Sequence, residues 1–105
     1  MIYTIFFKEV AIMTSRHYRQ YRRRRERVIR DIGQGTPYQE FIVGDKLHVI
    51  TTNAIIIIYG AKDHTLITKL IARPNQIKKY YTDGNYPTEI IEIANQHQKA
   101  GLYHT

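Results

Sequence analysis

The chain has 105 residues, 43% of them hydrophobic, with nine tyrosines and three prolines, which suits one packed domain over residues 1–105 and excludes a multidomain machine or a disordered tail. It has no cysteine, which rules out a disulfide framework, a thiolate zinc site and a cysteine nucleophile and fits a reducing, cytoplasmic setting. Sixteen Lys and Arg against nine Asp and Glu give a formal charge of +7, large for this length, so the expected partner is an anion.

From the N-terminus, Met1 to Ile12 is apolar but broken by Lys8 and Glu9, with no basic region ahead of it and no small-residue cleavage site. It reads as neither signal peptide nor membrane span. Alternation over Ile2 to Phe7 predicts a strand, with Met13 as an alternative natural start. Thr14 and Ser15 are capping residues for a helix from Arg16 to Ile32, a stretch free of Gly and Pro that Gly33 and Gly35 then stop. Tyr18, Tyr21, Val28, Ile29 and Ile32 recur at three- and four-residue steps and form its core stripe, which Arg25 interrupts.

Beyond the turn from Gly33 to Pro37, three β-rich runs follow, Tyr38 to Val43, Leu47 to Thr52 and Ala54 to Tyr59, then a fourth from Thr65 to Ala72. The links Gly44-Asp45-Lys46, Thr52-Asn53 and Gly60 to His64 are short and have turn chemistry, so the runs predict an antiparallel meander. Ile55 to Ile58 is continuously apolar and β-branched, which requires a central strand covered on both faces. Pro74 opens a short helix with Ile77, Tyr80 and Tyr81 on one side, ending near Gly84. Pro87 opens another, with Ile90, Ile91, Ala94 and His97, ending at Gly101. The fold class is α+β: a four- to five-stranded, mainly antiparallel sheet packed with a long basic N-terminal helix and two shorter C-terminal helices.

Eight of the sixteen cationic residues fall between Arg16 and Arg30, opposed there only by Glu26. Like charges one turn apart cost an isolated helix a few tenths of a kcal/mol, roughly, per pair, and a polyanion would compensate. Arg16, Arg19, Arg23, Arg27 and Arg30 form one row about 21 Å long at 1.5 Å per residue, flanked by Arg22 and Arg24. The alternative is a solvated basic face, but such faces mix Lys with Glu. Arginine's planar fork instead grips phosphate bidentately and stacks on bases. Tyr18 and Tyr21 are core residues by spacing and stacking platforms by chemistry. A membrane-surface helix would want Trp, Phe or Leu on its apolar side, so no membrane partner is expected. A second basic group, Lys69, Arg73, Lys78 and Lys79, runs from the last strand into the short helix. Arg73 stands where a strand end and a helix start converge on one point.

RNA can be cut without metal when one group takes the 2′-OH proton, another protonates the leaving oxygen and cations stabilise the phosphorane. His17 shares a helix face with Tyr21 and Arg24, and the surrounding arginines disfavour its charged form. Thr68 and Arg73 lie on a strand that can pack beside that helix. The plain alternative for His17 is a surface residue; His48 alternates with core residues and His64 belongs to a turn. No GxxxxGK, HExxH or GxSxG motif occurs, the carboxylates are scattered, and His97 and His104 are too loosely spaced for a metal. No cofactor is expected.

A basic N-terminal helix bearing Ser15-Arg16-His17-Tyr18 and the following arginines, the strand Ala54 to Tyr59, and the stretch Thr65 to Pro74 together resemble the small barnase, colicin and RelE-like toxin ribonucleases of phage and mobile elements. The resemblance covers roughly the first 75 residues. It implies a metal-independent endoribonuclease with His17, Arg19 and Thr68 framing the scissile phosphate, and an acidic antitoxin or other acidic protein as a further partner. Members often carry an aromatic two residues after that threonine, where this chain has Leu70. The competing expectation is a non-catalytic RNA- or DNA-binding regulator, or a phage-encoded inhibitor of a host complex, working through the same arginines.

Overall fold

A computed structural model describes residues 19–102. The strand expected over Ile2 to Phe7, the caps Thr14 and Ser15, and Arg16, His17, Tyr18 and His104 lie outside the described residues. Helix α1 covers residues 19–32. Strands β1 (Pro37–Val43), β2 (Lys46–Thr51), β3 (Ile55–Gly60) and β4 (Leu66–Ile71) follow, then helices α2 (Pro74–Lys78) and α3 (Thr88–Lys99). The sheet is an antiparallel meander in the order β1-β2-β3-β4. The expected α+β architecture is present, with the four strands expected between Tyr38 and Ala72 each found within a residue or so.

The isoleucine run shows why the sheet needs cover on both sides. Side chains alternate along a strand, so Ile55 and Ile57 join Ile29, Val49 and Ile71 beneath α1. Ile56 instead joins Ile50, Ala72, Ile77, Ile90, Ile91 and Ala94 beneath α2 and α3. Each buried aliphatic side chain contributes about 1.5–3 kcal/mol relative to exposure. The result is three layers, helix, sheet and helices, with β3 in the middle.

Turns lock the layers together. Helix α1 ends at Gly33, whose φ of +88° suits glycine and whose N–H donates to Ile29 O at 2.8 Å. Asn53, in the β2–β3 turn, donates from Nδ2 to the carbonyls of Ile32 at 3.2 Å and Gly33 at 2.6 Å. On the opposite layer, His97 Nε2 of α3 donates to Asn53 O at 3.0 Å. Thr51 is fully buried: its hydroxyl donates to Gln34 O at 2.6 Å and accepts from the N–H of Ile55 at 3.1 Å and of Asn53 at 3.3 Å. One turn thus fastens both helical layers to the sheet.

Gly35 passes close beside that turn. Its φ is +80°, and a Cβ there would stand 2.7 Å from Asn53 N and 2.8 Å from Thr52 Oγ1. Gly35→Ala combines a left-handed backbone cost of about 1–2 kcal/mol with a collision against main chain. It is expected to lower the thermal midpoint by roughly 5–15 °C, read by circular dichroism. Gly84→Ala, also at positive φ but with nothing within 4 Å of its Cβ, should show only the smaller backbone part.

Candidate nucleic-acid interface

Burial sorts the arginines of α1. Positions 22, 25, 29 and 32 face inward at three- and four-residue steps, while Arg19, Arg23, Arg24, Arg27 and Arg30 are exposed. Glu26 is held by Arg22 at 3.1 Å, a half-exposed pair worth about 0.5 kcal/mol or less. Among the described residues the two ion pairs are Arg22–Glu26 and Lys46–Asp45, and neither involves the five outward arginines. This face therefore presents permanently charged guanidinium groups to solvent, outside the ion pairs among the described residues.

Tyr21, expected in the core stripe, is 46% exposed. Arg25 takes the more inward place and lays its guanidinium 5.6 Å from the Tyr21 ring centroid. Strand β4 is a sheet edge, and Thr68 on it pairs with Ile58, whose side chain packs on the α2 side. Arg25 Nη2 nevertheless donates to Thr68 Oγ1 at 2.9 Å, so the side chain crosses the sheet edge from the α1 layer. Its Nε is buried and, among the described residues, has no partner. Arg22 reaches the same edge, 3.4 Å from Ile67 O, at the residue where β4 bulges out of register with β3.

Phe41, His48, Ile58 and Thr68 are successive cross-strand partners, so they form one row across the α2 face of the sheet. His48 Nδ1 and Tyr80 Oη are hydrogen-bonded at 2.6 Å. Phe41 packs 5.0 Å from the Tyr80 ring and 5.3 Å from that of Tyr81. A cleft of about 430 Å³ opens here, with His48, Tyr80, Lys79 and Gln76 around Ile56, Ile58 and Leu70. A second cleft, of about 340 Å³, is lined by Tyr21, Arg25, Arg73 and again Leu70 and Gln76.

Thr68 sits in the His48 row, bonded to Arg25. Arg73 stands between β4 and α2, as expected, and its N–H donates to Gln76 Oε1 at 2.8 Å. Lys69, Arg73, Lys78 and Lys79 border different features. Lys69 lines a third cleft with Arg30 on the α1 side, Lys78 rests 5.0 Å from the Tyr86 ring centroid, and Lys79 borders the His48 cleft. Arg25, His48 and Tyr80 are candidate residues that sequence reasoning passed over. The signal for Arg25 was its interruption of the stripe, and for His48 its place in phase with Ile50.

Burial, followed by the charge of Lys46, pushes the His48 pKa below the ordinary 6.5, while burial raises that of the Tyr80 phenol. The unfolded chain then holds more protons at this histidine than the folded one. Its contribution is intact above pH 6.5 and is lost as pH falls through the lower folded value. The thermal midpoint is expected to drop between pH 7.5 and 5, and His48→Phe should shrink that drop. An undiminished drop in the variant would assign it to other groups. Asp63, whose carboxyl is held down mainly by the Thr65 N–H, acts in the same direction but below 3.8.

Among the described residues no group of three or more His, Asp or Glu comes together as a metal site requires, and no helix is long and apolar enough to cross a membrane. No protein-family model, curated protein or solved structure matches this chain.

Proposed function

We propose that this protein binds the phosphate backbone of nucleic acid through the outward face of α1. The observation that carries the reading is the set Arg19, Arg23, Arg24, Arg27 and Arg30, exposed together and outside the ion pairs among the described residues. Guanidinium groups spaced along a rigid helix match a regularly charged polymer better than a point anion. The test is binding to labelled single-stranded and duplex oligonucleotides over a salt series: affinity should fall steeply with salt for both. Salt-insensitive binding, or preference for an acidic protein or anionic vesicles, would overturn it.

Metal-independent cleavage of RNA is the second reading, favoured by the bond from Arg25 to Thr68 and by His48 and Tyr80 in the same cross-strand neighbourhood. A guanidinium, an imidazole and a phenol are sufficient for transphosphorylation, and His17 and Arg73 remain its other assigned residues. Incubation with single-stranded RNA in EDTA, beside His17→Ala and His48→Ala, tests it. Cleavage lost in either variant supports this chemistry and names the base; intact RNA retires it and leaves a binding protein.

A further inference from the structure

A cleft at the β4 edge, which takes Ile71 and Leu102 from the α1 layer, and the cleft on the α2 face share Leu70 and Gln76 as walls, so the two adjoin and together form a groove with Arg25 and Arg73 at the sheet edge and His48 and Tyr80 further in. Its two ends differ in chemistry. At the edge, two guanidinium-bearing residues line the wall. Further in, Ile56, Ile58 and Leu70 make an apolar floor, and hydrogen-bonding groups of His48, Tyr80 and Gln76 stand around it. Neither lining includes a carboxylate.

Resting on the nucleic-acid reading above, we propose that this groove receives one unpaired nucleotide of a single strand, its phosphate at Arg25 and Arg73 and its base over Ile56, Ile58 and Leu70. Three features argue for this occupant. Arg25 keeps a buried Nε without a partner among the described residues, an arrangement uncommon in native proteins. From Thr68, where Arg25 is anchored, to His48 is two strand spacings, roughly 10 Å, comparable to the span from a nucleotide's phosphate to the far edge of its base. The inner cleft, about 430 Å³, lies within the range of small-ligand pockets, and an apolar floor with few convergent polar groups suits a flat heterocycle.

A paired, stacked base cannot enter such a groove, whereas an unstacked base in a single strand can. The groove therefore adds a preference that α1 alone does not have. Base contacts of this kind should favour a single strand over a duplex of matched length by about tenfold.

The experiment compares the full chain with Ile58→Lys and Tyr80→Phe, using fluorescence anisotropy with a labelled single strand and the matching duplex. Ile58→Lys raises the positive charge, so it should leave duplex binding intact or stronger while abolishing the single-strand preference. Tyr80→Phe should reduce the preference without adding bulk. Loss of binding to both forms on removing α1 arginines reports on the backbone reading, which is a separate result. Equal affinity of the unaltered chain for both forms, or an undiminished preference in both variants, overturns the groove proposal. Should Ile58→Lys not fold, amide shifts of the unaltered chain decide it. Adenosine monophosphate should perturb Ile58, Leu70 and Gln76, whereas inorganic phosphate should perturb only the Arg25 and Arg73 end. Shifts confined to α1 with both ligands would refute the proposal.

Discussion

Replacing Arg19, Arg23 and Arg27 together with Gln is expected to flatten the slope of log affinity against log salt by about 2.7 on B-DNA and about 2.1 on single strands. Each backbone contact contributes about 0.9 or 0.7, respectively. Between roughly 50 and 200 mM salt, the unaltered protein should then weaken about fortyfold more than the variant on B-DNA. The loss is not a folding defect. These side chains are exposed and one turn apart, so their removal relieves like-charge repulsion of a few tenths of a kcal/mol, roughly, per pair. Binding should fall while the thermal midpoint holds or rises. A midpoint that drops with an unchanged slope would mean that the arginines serve the fold.

The largest effect on stability is expected from Thr51→Val. The hydroxyl is fully buried and joins the Gln34 carbonyl to the Ile55 N–H. Valine keeps the shape and strands both of these groups, and it also removes the acceptor of the half-buried Asn53 N–H. A buried polar group left unpaired costs about 1–3 kcal/mol, and two of them give about 3 kcal/mol, or roughly 10–20 °C in the midpoint of a domain of this size. Thr51→Ser, which keeps the oxygen and loses one methyl, should cost only about 1 kcal/mol. Equal losses in the two variants would show that packing, and not the hydroxyl, matters at this position. Below its midpoint, Thr51→Val should bind nucleic acid as the unaltered chain does.

The elements were legible because local chemistry agrees with the final arrangement. Gly33 stops α1 where its positive φ is needed, Gly44-Asp45-Lys46 turns β1 into β2, and four successive isoleucines demand a central strand. The β2–β3 connection was legible only as a turn. Ala54 adopts φ +59°, a conformation nothing in alanine announces, and it is held there by its N–H bond to Thr51 O at 3.1 Å. That Thr51, Asn53 and His97 tie three layers together is a tertiary fact with no periodic trace.

The candidate site divides in the same way. The outward arginines follow from helical spacing, because a face is fixed by period alone. Arg25 was visible as an interruption, but its passage over the β4 edge to Thr68 depends on where the sheet ends relative to the helix. His48 lies in phase with Ile50 on β2, yet it borders a cleft and is hydrogen-bonded to Tyr80, a tertiary contact that strand pattern does not reveal. Lys69 turns to the α1 side of β4, by strand alternation, while Arg73 and Lys79 border the two clefts that share Leu70 and Gln76.

The proposed interface rests on the arginines of α1, and not on positive charge in general. Two variants of equal net charge test it most directly: Arg23→Gln with Arg27→Gln, and Lys62→Gln with Lys99→Gln, all four positions being exposed. Compared over one salt series on one oligonucleotide, the arginine variant should lose about 1.4 to 1.8 of the slope and the lysine variant almost none. Equal losses in the two would contradict the account and reduce the interaction to net charge.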